Sequence, residues 1–146
     1  MSKKEARQQA IKDIVRSEHV RTQRHLVQRL IEQKFVCTQA TVSRDISELG
    51  LIKSMDGYYV FKTDDVLSRL VYEKVVDIDR VSSFCVIRTS FGDAINVADA
   101  IDRAHLPNVI GTIAGTDTVL AICTSEEGSL RTADLLASFS ANLAAH

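Results

Sequence analysis

The sequence has no tryptophan, one proline and three cysteines among its 146 residues. With Pro107 alone, almost no position carries proline's interruption of helices and strand ladders. Cys37, Cys85 and Cys123 are odd in number and widely scattered. A disulfide framework is therefore not expected, and a reducing, cytoplasmic location is. No apolar run approaches the roughly 18 residues a membrane helix needs, so no membrane partner is expected. Met1-Ser2-Lys3-Lys4-Glu5-Ala6-Arg7 is charged with no apolar stretch behind it, unlike a secretory signal. Internal repeats and low-complexity tracts are also missing. What is present is 45% hydrophobic and 25% charged residues, enough apolar surface for a packed core.

The net charge of −1 conceals an asymmetry. Residues 1–62 hold 12 Lys and Arg against 7 Asp and Glu; residues 63–146 hold 6 against 12. A basic half beside an acidic half suggests that the first part meets a polyanion; chance fluctuation is the alternative on charge alone.

Periodicity divides the chain further. Ala10, Ile11, Ile14 and Val15 recur at helical spacing within residues 4–17, as do Leu26, Val27, Leu30 and Ile31 within 23–33. Thr22 and Thr38 are candidate N-caps, and Val42, Ile46 and Leu49 give a third helix, 39–49, its buried stripe before Gly50 ends it. Leu51 to Ser54 and Tyr58 to Phe61 then predict two short strands around Asp56-Gly57, a hairpin signal. Residues 63–72 are expected to be a linker, with a helical turn through Val66, Leu67 and Leu70 as an open alternative. Beyond it, strands over 74–79, within 81–90, over 109–114 and over 118–123, with helices over 93–104 and 129–144, predict an α/β sandwich with both helices on one sheet face. The expected fold class is α+β: an N-terminal winged helix-turn-helix, residues 1–62, and a C-terminal α/β sandwich, residues 73–146.

Three helices and a hairpin outline a winged helix-turn-helix, whose third helix enters the major groove of DNA. Opposite its apolar stripe this helix offers Gln39, Thr41, Ser43, Arg44 and Ser47. Arg pairs with guanine, Gln with adenine, and short hydroxyls reach phosphates or base edges. The same pattern also describes a merely solvated helix face; the hairpin and the basic charge favour DNA. Lys53 on the hairpin, with Lys62, Arg21 and Arg24, is of the type that contacts phosphates.

The run Thr38-Gln39-Ala40-Thr41-Val42-Ser43-Arg44-Asp45-Ile46-Ser47-Glu48-Leu49-Gly50-Leu51 resembles the recognition-helix signature of the bacterial arginine repressor family. Gly111-Thr112-Ile113-Ala114-Gly115-Thr116-Asp117-Thr118 resembles that family's second signature, in the effector domain. The resemblance covers nearly the whole chain. It implies a cytoplasmic transcriptional regulator, a repressor or also an activator, of arginine biosynthesis and catabolism genes. It further implies that residues 73–146 are an α/β sandwich oligomerisation and effector-binding domain, with a hexamer built as a dimer of trimers, operator DNA as partner, and L-arginine as corepressor bound between subunits. Gln39, Ser43 and Arg44 fall at the family's DNA-contact positions.

A guanidinium is best held by carboxylates in fork geometry. Asp117, in the turn between two strands, and Asp102, on the helix 93–104, are placed for this. The resemblance puts Thr116 where the family has the first acid of a pair, and Ile95 where it has Gln or His. A charge-assisted hydrogen bond contributes roughly 1.5–3 kcal/mol, so the Thr116 change alone weakens arginine about tenfold to a hundredfold. Two readings stay open: a repressor with weakened arginine binding, and an arginine-insensitive paralogue acting with a second repressor subunit or another ligand. His19, His25, His105 and His146 show no metal spacing with the cysteines, and no nucleophile motif or phosphate loop is present, so neither a metal nor an enzyme activity is expected.

Overall fold

A computed structural model describes residues 1–140 and 143. The chain divides into two compact units, Met1–Asp65 and Val66 onward.

The first unit begins with α1 (Lys3–Ser17), closed at its start by a capping box in which the Ser2 hydroxyl accepts from Glu5 N and Glu5 accepts from Ser2 N. α2 (Gln23–Glu32) and α3 (Gln39–Leu49) are capped by Thr22 and Thr38, whose side chains accept from His25 N and Thr41 N. Gly50 ends α3 at φ +70°, a left-handed conformation that costs a side-chain-bearing residue free energy. β1 (Leu51–Lys53) pairs antiparallel with β2 (Tyr59–Phe61). Ile11, Ile14, Val20, Leu26, Leu30, Val42, Ile46 and Phe61 form the core, joined by Tyr59; Tyr58 stacks instead on His19 at 4.1 Å. The hairpin is tied back by Tyr59 N donating to Val20 O at 2.8 Å and by Arg21 Nη1 donating to Asp56 O at 2.7 Å. Arg21, a phosphate-contact candidate in the sequence, thus holds the hairpin tip.

The stretch expected as a linker is a helix. α4 (Lys62–Lys74) carries Leu67 and Val71 fully buried in the core of the second unit. Thr63-Asp64-Asp65 had the composition of a linker, but acids in a first helical turn complement the partial positive charge there, and Leu67, Leu70 and Val71 make an apolar face at i, i+3 and i+4.

Four antiparallel strands follow in the order β3-β4-β6-β5: β3 (Val75–Val81), β4 (Phe84–Thr89), β5 (Val109–Ala114) and β6 (Thr118–Cys123). Alternation sends Ile78, Cys85, Ile87, Val119, Ala121 and Cys123 to one face, where α5 (Ala94–Ala104) and α6 (Glu126–Ser138) cover them. This is the expected two-layer sandwich, and Leu67 and Val71 of α4 join its core. α6 starts three residues earlier than its periodicity suggests, because Ser125 caps it by accepting from Gly128 N. It ends at Ser138, short of the expected 144: Phe139, Ser140 and Leu143 are not helical, and 141, 142 and 144 lie outside the described residues. The other sheet face carries Phe84, Val86, Leu120, Ile122 and Ile113, and among the described residues no helix of this unit covers it.

Candidate nucleic-acid interface and ligand site

α3 presents two sides. Val42 and Ile46 are buried, and Leu49 packs beside them. Gln39, Ala40, Arg44 and Ser47 are exposed, and Thr41 and Ser43 are half-buried. Spacings of three and four place Ala40, Ser43, Arg44 and Ser47 on one outward stripe, with Gln39 at its N-terminal edge. The Thr41 hydroxyl lies 3.1 Å from that of its cap, Thr38. Lys53 is exposed at the end of β1, with its ammonium over the Tyr59 ring. Ahead of the helix, Val36 is fully exposed. Ala40 and Val36 were not singled out in the sequence; both are exposed apolar groups, a type that contacts thymine methyls where a helix enters the major groove.

The residue between Arg44 and Ile46 behaves differently from its neighbours. Asp45 is 1% exposed and accepts from Arg7 Nε and Nη2 at 2.5 and 3.0 Å and from Gln8 Nε2 at 3.0 Å. Gln8 Nε2 also donates to Glu48 at 2.9 Å, and Lys4 pairs with Glu48 at 2.8 Å. Burial pushes the Asp45 carboxyl up, the largest single effect. The hydrogen bonds from Arg7 and Gln8, with the charges of Arg7 and Lys4, outweigh it and hold the group below the ordinary carboxylate range. The hydrogen bond to Asp45 correspondingly raises Arg7. Lys4, Arg7 and Gln8 at i, i+3 and i+4 on α1 face Asp45 and Glu48 at i and i+3 on α3. That matching of spacing and charge is the available sequence signal, a weak one because acidic helix positions are mostly solvated. A concavity of about 320 Å³ is lined by Lys4, Arg7, Thr41, Arg44, Asp45 and Glu48.

In the second unit the candidate ligand residues are all exposed. Ile95 stands in the first turn of α5 and is 68% exposed. Asp102 lies seven residues on, about 10 Å along the helix axis, and accepts from the Thr112 hydroxyl of β5 at 3.0 Å. Thr116 and Asp117 occupy the β5–β6 turn, held by backbone bonds from Gly92 N to Thr116 O and from Thr89 N to Asp117 O. The Asp117 carboxylate accepts from the Thr118 hydroxyl at 3.0 Å. The turn therefore sits against the loop that opens α5. Asp93, beside Ile95, is 3.9 Å from the Lys74 ammonium. Among the described residues, no group of three or more His, Cys, Asp or Glu could hold a metal ion, and no helix is long and apolar enough to cross a membrane.

Three capped helices with a hairpin wing, followed by an antiparallel sheet unit with its own helical layer, define a winged-helix DNA-binding regulator with a separate second domain. Residues 2–66 match the family described as "Arginine repressor, DNA binding domain", and residues 71–138 match "Arginine repressor, C-terminal domain". The arginine repressor of Heliobacterium modesticaldum is 44% identical over 131 residues, covering 82% of this chain and 87% of that protein. Those of Thermus thermophilus and Syntrophomonas wolfei are each 40% identical, covering 88% and 84% of this chain and 85% and 87% of theirs. The chain belongs to the arginine repressor family, whose members are DNA-binding regulators and not enzymes.

Proposed function

We propose that this protein represses genes of arginine metabolism by reading operator DNA through α3 and the hairpin wing, with L-arginine as corepressor. Gln39, Thr41, Ser43, Arg44 and Ser47 read or flank the bases, and Lys53 takes a phosphate. The observation that carries this is the outward stripe of α3, whose opposite side is locked into the core by Val42 and Ile46. The arginine site takes its anions from Asp102 and Asp117, with Thr116 and Ile95 beside them. Exposure of these groups on a single chain favours a site completed by a neighbouring subunit in a homo-oligomer, a trimer or hexamer. The uncovered apolar sheet face supports such assembly, since Ile113 is 61% exposed there.

The test is selection of a preferred duplex from a random library by the full chain, followed by filter binding at two salt concentrations with and without L-arginine. Sequence preference that tightens with arginine is the expected result. Equal affinity for selected and scrambled duplexes would overturn the reading, because phosphate contacts give salt dependence without specificity. A second reading rests on Thr116 and Ile95, which supply no charge to a guanidinium: the protein acts without arginine, beside a second repressor subunit or with another ligand. Sequence-specific binding with no calorimetric heat from arginine selects that reading.

A further inference from the structure

The apolar anchors of α3 fix its depth but leave its rotation loosely defined, because hydrophobic contact is non-directional. Reading DNA makes a stricter demand. At a radius of about 6 Å, a helix rotation of about 5° moves a side chain by about 0.5 Å, which spans the usual range of hydrogen-bond lengths. The directional contacts on α3 are polar. Both Asp45 oxygens are engaged, one by Arg7 Nε and the other by Arg7 Nη2 and Gln8 Nε2, and Glu48 one turn later is held by Gln8 and Lys4. The pair is largely withdrawn from water, with the Arg7 side chain 15% and that of Asp45 2% exposed. Asp45 directly follows Arg44 and lies two residues after Ser43, so its constraint acts where the outward stripe is closest.

We infer that the Arg7–Asp45 pair is a positioning device that sets the rotation of α3 against α1, and through it the discrimination of operator from other DNA. This rests on α3 being the reading helix. Arg7 and Asp45 are positioning residues, since their charged groups are spent on each other: the Arg7 guanidinium donates twice to Asp45, and the Asp45 carboxylate is buried. A buried ion pair replaced on both sides by apolar groups often leaves stability unchanged or improved, so its effect on recognition is separable from its effect on folding.

The experiment compares the full-length wild type, Arg7→Met/Asp45→Leu, Asp45→Asn and Arg44→Ala. Each is titrated with the library-selected duplex and with its scrambled form, at a temperature where unfolding curves show every sample folded. For the double variant we expect the selected-to-scrambled affinity ratio to fall about tenfold or more, with scrambled-duplex affinity and its salt slope nearly unchanged. A lost phosphate contact would instead weaken both duplexes and reduce the salt slope by about one. Asp45→Asn, which keeps the side-chain shape, should lower the ratio in the same direction by a smaller factor. It also carries the test if the double variant does not fold. A folded double variant, or failing that a folded Asp45→Asn, with the wild-type ratio overturns the inference, provided Arg44→Ala lowers it. An Arg44→Ala protein that also keeps the ratio overturns the reading of α3 itself.

Discussion

Arg44 and Asp45 are adjacent in the chain and opposite in role. Arg44 is exposed at the middle of the outward stripe, and Asp45 is buried against α1. Arg44→Ala should remove roughly 1–3 kcal/mol of operator affinity and leave the thermal midpoint unchanged; wild-type affinity in filter binding would take Arg44 out of the interface. Asp45→Asn should destabilise the first unit at pH 7 by about 1–3 kcal/mol, the range for impairing a charged buried hydrogen bond. The folded-state carboxyl lies below its unfolded value. Its stabilisation is therefore complete above the unfolded value of about 3.9 and lost as pH falls through the folded one. Urea titrations at pH 7 and pH 3 should show the gap between wild type and variant closing in acid; an equal gap at both would contradict the ion pair. In the second unit, burial and the neighbouring Cys123 push the Cys85 thiol up to about 12. Alkylation of the folded protein should accordingly leave Cys85 unmodified until denaturant is added, as mass spectrometry of the labelled chain would show.

At the scale of elements, α4 is the instructive case. Its first turn is polar and acidic, which in isolation reads as a connection between domains. Its next two turns bury Leu67 and Val71 completely. Leu67→Ala should therefore cost about 2–5 kcal/mol, the usual range for truncating a core leucine. A urea midpoint indistinguishable from that of wild type would return the segment to linker status. The hairpin wing shows a similar shift of role. Its strands are short, and Arg21 and His19 brace it from the segment before α2.

For the whole molecule, the uncovered sheet face and the exposed carboxylates bear on one question, that of assembly. Ile113 and Phe84 project from the face without helices. Ile113→Asp should lower the sedimenting mass relative to wild type, because a carboxylate at an apolar interface is costly to desolvate. Unchanged sedimentation would place the interface elsewhere. Asp117→Asn should abolish whatever calorimetric signal L-arginine gives, since a guanidinium facing neutral groups loses its charge-assisted bonds. Tight arginine binding that survived the change would remove Asp117 from the site.

Most of the secondary structure was legible in residues alone, because helix caps, glycine stops and apolar periodicity are local. Thr38, Gly50 and the stripe of Val42 and Ile46 specified α3 without reference to anything distant. The division into a basic reading unit and a sheet unit followed from charge and from the change of period. The partners of polar side chains were not legible in this way. Arg21 and the acids of α4 each had a plausible solvent-facing role in the sequence and Asp45 had none assigned; residues far along the chain or the packing of a later segment decided all three. An apolar residue's destination follows largely from its own free energy of transfer. A charged residue's destination depends on whether a partner waits in the interior, 38 positions away in the case of Arg7 and Asp45, and only the tertiary structure decides that.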